Sequence, residues 1–221
     1  MNNGKRKAII FDMDGTLVDS EPMHLLAYQQ LAQRFGGTYS ESDNREFLGR
    51  KDADVCVALV ARLNIQMTAQ QAVTLKEELL AELLVDAAPR QGVLDVLEKA
   101  HQLAIPMAVA SSATMPTIEF VIETLGIRRY FQTLTSGDEV AHGKPAPDVF
   151  LLASQRLNVK PENCLVVEDT LNGIKAAKAA GMACLAIPCE ATRHQDHSQA
   201  DANMESLEQL DVIRWFETGV L

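Results

Sequence analysis

Ile9-Ile10-Phe11-Asp12-Met13-Asp14-Gly15-Thr16 reads as an apolar strand that ends on two carboxylates one residue apart, with a glycine turn behind them. Side chains alternate faces along a strand, so two acids at this spacing share a direction while the strand lasts. Here the strand stops at the acids. Its end can hold one carboxylate at a reacting centre and the other a step outward, beside the turn. Two acids this close raise each other's pKa unless a cation sits between them. A hard divalent ion with oxygen ligands, most simply Mg2+, suits the pair. Asp-Gly is also an ordinary turn pair, so the rest of the chain has to decide.

Outward from this stretch the pattern changes twice. Lys7 to Asp12 is expected to be a buried strand. From about Pro22 to Phe35, Leu25, Leu26, Ala27, Leu31, Ala32 and Phe35 recur at helical spacing, with Pro22 in the first turn and Gly36-Gly37 at the end. Residues 41–85 continue as helix, with one apolar stripe at Val55, Leu59, Val60 and Leu63 and another at Leu75, Leu79, Leu80, Leu83 and Leu84. After a linker at 87–92, helix and strand alternate. Helices are expected at 92–103, 115–125, 147–157 and 171–180, each followed by a strand, at 107–110, 132–135, 165–167 and 183–187. A last amphipathic helix is expected at about 205–217. Alternation of this kind implies α/β architecture, a Rossmann-like parallel sheet with helices on both faces. The near-continuous apolar strands fit a sheet covered on both sides. Residues 1–19 and 88–221 form the α/β core, and 20–87 a helical insert.

The chain has 221 residues, 47% of them hydrophobic and 23% charged, with a formal net charge of −10. That acidity argues against a general nucleic-acid binder, which needs many Lys and Arg along the phosphate backbone. It leaves room for a small phosphorylated ligand. No apolar run reaches the ~20 residues of a membrane span, and the basic start leads into a short strand rather than a signal-peptide core. Cys56, Cys164, Cys184 and Cys189 lack the paired spacing of a zinc site. A cytoplasmic protein with reduced thiols is expected. A monomer is expected as well, because the two predicted cores account for the apolar stripes.

Ligands of such sheets bind at the carboxyl ends of the strands. Those ends carry Asp12 and Asp14, Ser111 and Ser112, and Glu168 and Asp169, with Lys144 in a loop held by Gly143, Pro145 and Pro147. Asp12 is the expected nucleophile, since a carboxylate attacking phosphorus splits a hard displacement into two easier ones. Mg2+ held by Asp12, the Asp14 carbonyl and Asp169, with Glu168 as a further anchor, would neutralise the spreading charge. Asp14 is then free as general acid and base. Ser111, helped by backbone around Ser112, would donate to phosphoryl oxygens, although a serine there also suits a turn or helix cap. Lys144 would pair with the phosphoryl group and with Asp12.

Asp12-Met13-Asp14-Gly15-Thr16, Ser111, Lys144-Pro145 and Glu168-Asp169 resemble, in order, the four motifs of the haloacid dehalogenase superfamily. The resemblance runs from about residue 7 to 217. It implies a Mg2+-dependent phosphatase or phosphomutase working through an aspartyl-phosphate, with residues 20–87 as a cap domain that closes over substrate. A carboxylate at position 14 fits phosphatases and mutases and is lacking in the true dehalogenases. Within the superfamily the chain looks most like the branch of beta-phosphoglucomutase, sugar-phosphate phosphatases and pseudouridine-monophosphate phosphatases. His24 matches a mutase histidine at the cap hinge that couples substrate engagement to proton transfer, and phosphatases often carry one too. Gly49, Arg50 and Lys51 of the cap loop, together with Ser112 and Ala113, are the implied substrate contacts. Two positions depart from the mutase pattern. Asp52 stands where the mutase loop has an Arg, and Thr114 where it has a Lys.

The expected function is therefore hydrolysis of a small phosphorylated metabolite, a sugar phosphate or nucleoside monophosphate, with a sugar phosphomutase as the alternative. A phospho-accepting receiver domain is about half this length and has no helical insert. A dehydrogenase lacks support because no GxGxxG follows the first strand. A non-catalytic module is disfavoured because each catalytic position holds a competent residue. Glu190–His197 reads as a surface loop without a role.

Overall fold

A computed structural model describes residues 7–47, 50 and 52–221. Its sheet has six strands, all parallel, in the order β3-β2-β1-β4-β5-β6. They are β1 (Ala8–Phe11), β2 (Met107–Ser111), β3 (Thr133–Ser136), β4 (Cys164–Glu168), β5 (Ala183–Ala186) and β6 (Ala202–Asn203). The order reverses between β1 and β4, which places the crevice of a doubly wound sheet beside β1. Phe11 lies opposite Val109 of β2 and Val167 of β4. The three strand ends are therefore level, and the residues that follow them open onto one edge.

Alternation along β1 divides the core in two. Ile9 and Phe11 join a cluster with α5 (Val93–Gln102), α6 (Met115–Thr124) and α9 (Val212–Thr218). Ala8 and Ile10 face α7 (Asp148–Leu157) and α8 (Leu171–Ala179) on the opposite side. Both faces are covered, as the apolar strands require.

Between β1 and α5 lie α1 (Glu21–Arg34), α2 (Glu41–Phe47), α3 (Asp52–Leu63) and α4 (Ala69–Leu84). α1 starts with a proline in its first turn and buries Ala27, Tyr28, Leu31 and Ala32, a single stripe at 3.6-residue spacing. Leu26 and Phe35, expected on that stripe, are exposed instead. α4 opens on a reciprocal capping box between Thr68 and Gln71. Among the described residues no helix is long and apolar enough to cross a membrane.

The end of the chain holds one correction and one strand that was not expected. The helix expected at 205–217 is broken into a 3-10 turn at Leu207–Gln209 and the shorter α9, which Asp211 caps through the Arg214 amide. β6 has two residues, too few for periodicity to reveal. The four cysteines are buried and free.

Candidate active site

Asp12 follows β1, Ser111 ends β2 and Glu168 ends β4. Lys144 reaches in from the loop before α7 and ties this edge together. Its Nζ donates to Asp12 Oδ1 at 2.5 Å and to Glu168 Oε1 at 2.8 Å. All three side chains are buried. Burial lowers the Lys144 pKa, but Asp12 and Glu168 outweigh it and hold the ammonium charged. Burial pushes Asp12 up, Lys144 opposes that, and Glu168 and Asp14 add to the rise.

Glu168 has no oxygen to spare. Its Oε2 accepts from the Asp169 amide at 2.7 Å, the Thr170 amide at 2.6 Å and the Thr170 hydroxyl at 2.9 Å. Thr170 in turn caps α8 through the Gly173 amide. A Cβ on Gly173 would lie 1.6 Å from Glu168 Oε1, so only glycine lets the helix come this close.

Asp169 is held differently. Its Oδ2 accepts from Thr192 Oγ at 3.1 Å and Cys189 Sγ at 3.4 Å, while His197 Nε2 donates to its carbonyl at 2.9 Å. Gln195 accepts from the Leu171 amide beside it. The 189–197 segment, read from sequence as a loop without a role, is thus the brace behind Asp169. Arg90, expected only as linker, donates to the carbonyls of Gly15, Ile187 and Pro188. It pins the turn after β1 to the loop after β5.

The other Asp169 oxygen, Oδ1, is buried and has no hydrogen-bond partner. Ligand oxygens of Asp12, Glu168 and Asp169 lie within 4.8 Å of one another. Three carboxyls here face the single ammonium of Lys144. Burial, and after it Glu168, drives the Asp169 pKa well up. Gly15, at φ +74°, lets the turn close over Asp169, and a Cβ there would sit 2.2 Å from Oδ2. The excess negative charge, the unpartnered oxygen and the oxygen-only donor set suit a divalent cation. The hydrogen bonds favour Asp12 and Asp169 as direct ligands, with Glu168 holding Lys144 and the turn.

Ser111 Oγ accepts from the Ala113 amide at 3.0 Å, which leaves its hydroxyl hydrogen free to donate into the chamber. Ser136 Oγ grips the Ala113 carbonyl at 2.6 Å and fixes this loop. Ser111, Ser112 and Ala113 line the same chamber as Asp12, Asp14, Lys144 and Glu168.

The helical side of the chamber is built around Asp14. Its Oδ1 accepts from Ser20 Oγ at 2.5 Å and lies 3.2 Å from His24 Nε2. Burial raises the Asp14 pKa, but His24 and Ser20 lower it more, to about 2. His24 Nδ1 lies 2.8 Å from Lys76 Nζ, and Lys76, fully buried on α4, also meets Asp52 Oδ2 at 2.6 Å. Tyr28 donates to the other Asp52 oxygen at 2.7 Å. An ammonium facing Nδ1 must donate, so Nδ1 accepts and Nε2 carries the hydrogen given to Asp14. Burial and Lys76 lower the His24 pKa while Asp14 raises it above its ordinary value. A second proton on the ring would have to displace Lys76.

Sequence reasoning placed His24 in the site but missed Lys76, Tyr28 and the pairing of Asp52. The signal for Lys76 was its position: Ala72, Val73, Leu79 and Leu80, three and four residues to either side, are all buried. Arg50 lines the chamber from between α2 and α3, its guanidinium over the Phe47 ring. Gly49 and Lys51 lie outside the described residues. Thr114, just past Ala113, donates to Glu77 of α4, and Thr117 donates to the same carboxylate at 3.0 Å.

Comparison with known proteins places the chain in a family. The family described as haloacid dehalogenase-like hydrolase matches residues 6–181. A phosphorylated carbohydrates phosphatase of Thermotoga maritima is 34% identical over 80% of this chain and 82% of its own. The fructose-1-phosphate phosphatase YqaB of Escherichia coli is 34% identical over 79% of this chain and 92% of its own. The crystal structure of CbbY from Rhodobacter sphaeroides in complex with phosphate superposes with a TM-score of 0.87 at 30% identity, covering 93% of this chain and 96% of that one.

Proposed function

The chain belongs to the haloacid dehalogenase-like hydrolases and is a phosphoric monoester hydrolase, and from that premise we propose that it releases phosphate from a small phosphorylated sugar or a nucleoside monophosphate by way of a phosphoryl group carried on Asp12. The observation that carries this reading is the buried Asp12–Lys144–Glu168 triad beside the unpartnered Asp169 oxygen. It sets a carboxylate nucleophile among groups that neutralise a transferring phosphoryl.

Lys144 occupies Asp12 Oδ1, which leaves Oδ2 to attack phosphorus. The new Asp12–phosphorus bond forms as the bond to the leaving oxygen breaks, and that oxygen takes the electron pair and a proton. Asp14 delivers the proton. It is ionised at rest, and a phosphate dianion next to it raises its pKa toward the working range. The proton is taken up from solvent as substrate binds, while the neutral His24 ring orients Asp14 through its Nε2 hydrogen. In the second step Asp14 takes a proton from water, the oxygen attacks phosphorus and Asp12 is released. Ser111 and Lys144 hold phosphoryl oxygens throughout. Asp12, Asp169 and the Asp14 carbonyl would hold Mg2+, which supplies charge neutralisation on the phosphoryl oxygens when bound.

Hydrolysis is favoured over mutase chemistry by the partners of two residues. Thr114 and Asp52 stand where sugar phosphomutases are expected to hold a second phosphate with cations. Here Thr114 is engaged by the Glu77 carboxylate, and Asp52 by Lys76 and Tyr28. The names of the relatives put sugar phosphates ahead of nucleotides as first substrates to try.

The test is free-phosphate release with Mg2+ from hexose phosphates, pentose phosphates and nucleoside monophosphates. Beta-glucose 1-phosphate with a trace of glucose 1,6-bisphosphate belongs in the panel. Release that disappears in Asp12→Asn and on chelation with EDTA is expected. Glucose 6-phosphate forming without free phosphate would establish a mutase instead.

A further inference from the structure

The two oxygens of Asp169 have opposite surroundings. Oδ1 is buried and has no hydrogen-bond partner, whereas Oδ2 accepts from Thr192 Oγ at 3.1 Å and Cys189 Sγ at 3.4 Å. Asp169 and Thr192 are both fully buried. The difference between the oxygens is made by a turn in a segment that no sequence motif marks.

That turn is closed twice. The Thr192 amide donates to the Cys189 carbonyl at 3.2 Å, and the Cys189 amide donates to Thr192 Oγ at 3.0 Å. A hydroxyl that accepts in this way keeps its one hydrogen to give. Asp169 Oδ2 at 3.1 Å is a nearer acceptor for it than the Cys189 carbonyl at 3.5 Å. Just before the turn, Arg90 holds the carbonyls of Ile187 and Pro188 at 3.2 Å each, and just after it His197 holds the Asp169 carbonyl. Thr192 is thus fixed from both sides, and it engages one carboxylate oxygen while leaving the other bare.

We infer that Thr192 commits Asp169 to a cation through the single oxygen Oδ1, and that it thereby favours Mg2+ over Ca2+. Mg2+ demands a near-ideal octahedron at about 2.0–2.1 Å, whereas Ca2+ takes about six to eight oxygens at about 2.3–2.6 Å and accepts both oxygens of one carboxylate. A carboxylate whose second oxygen is already engaged serves the smaller ion and handicaps the larger. The inference rests on the hydrolase reading for a divalent cation at Asp169, and adds the residue that sets which cation it is. Thr192 acts only through Asp169, as a positioning residue.

The test is isothermal titration calorimetry of Mg2+ alone and of Ca2+ alone into wild type, Thr192→Val, Thr192→Ser and Cys189→Ala, with no substrate present. Removing a residue that orients a metal-binding side chain weakens metal binding by about 10- to 100-fold. Thr192→Val should lose that much affinity for Mg2+ and clearly less for Ca2+, because the released Oδ2 can join the larger ion. Thr192→Ser keeps the hydroxyl and should keep both affinities near those of wild type, which a packing role for the methyl group would not allow. Cys189→Ala removes the weaker donor to Oδ2 and keeps the turn. It should shift the Mg2+ to Ca2+ preference the same way by a smaller factor, so the answer survives a misfolded Thr192→Val. Unchanged Mg2+ affinity in these two variants, or equal losses for both cations, would overturn the inference. Wild type that binds neither cation would overturn it as well. Since the titration holds no substrate, absence of phosphate release from wild type would count against the hydrolase reading and not against the role of Thr192.

Discussion

On the sheet side of the chamber each working side chain hangs from the end of a strand or the loop beside it: Asp12 after β1, Ser111 at the end of β2, Glu168 and Asp169 at β4. On the helical side, His24 and Tyr28 come from α1, Asp52 from α3 and Lys76 from the middle of α4. The first group is positioned by backbone. Parallel register levels the strand ends, and turns and caps do the rest. The second is positioned by side chains reaching across helices, with Lys76 as the single hub. A backbone-built site is spelled locally in sequence. A side-chain hub is spread over more than fifty positions and shows only as a charge on an apolar face.

The largest predicted contrast comes from breaking the hub. Lys76→Met leaves Asp52 buried without its cation and should cost about 3–5 kcal/mol in denaturant unfolding. Adding Asp52→Asn should recover much of that loss, because the two residues act as one unit. A single-mutant cost near zero would mean that the helical side is not organised around Lys76.

On the sheet side the matching change is Gly173→Ala. Its Cβ drives into Glu168 Oε1, and overpacking of this kind costs about 1–3 kcal/mol. Here kcat should fall more than stability implies, because Lys144 loses its anchor. Thermal melts and kcat measured on the same samples separate the two effects.

The smallest effect sharpens the line between the two sides. Burial raises the folded pKa of Glu21 from 4.5 to about 7, with Asp14 and Asp52 adding to the rise and His24 and Lys76 opposing it. The folded state thus binds more protons than the unfolded one between those values. Stability from this group is complete below pH 4.5 and declines as pH rises through about 7. Glu21→Gln should flatten that decline, so that the variant gains on wild type at pH 8 relative to pH 5. Parallel curves for the two proteins would place the titration elsewhere.

The sheet side could be read from the chain because its chemistry sits in short runs: two acids closing an apolar strand, a serine ending another, an acidic pair closing a third. The parallel sheet followed from alternation, while the spatial order of its strands came only with the structure. What stayed hidden lies in long-range contact. Thr192 and His197 brace Asp169 from more than twenty residues away, and Arg90 pins the Gly15 turn from seventy-five. Nothing local in Glu190–His197 marks it as a brace. Asp52 was read as a missing mutase cation, and the structure adds that it is the partner of a lysine on another helix.

The central claim is that Asp12 carries the phosphoryl group and Asp14 moves the proton. The most direct measurement is acid quench of wild type and Asp14→Asn during reaction with Mg2+ and a hydrolysed sugar phosphate, followed by peptide mass spectrometry. The account predicts a phosphoryl group on the peptide containing Asp12, accumulating to a higher level in Asp14→Asn than in wild type. A phosphoryl group on another residue, or none in either protein while Asp12→Asn still turns over, would contradict it.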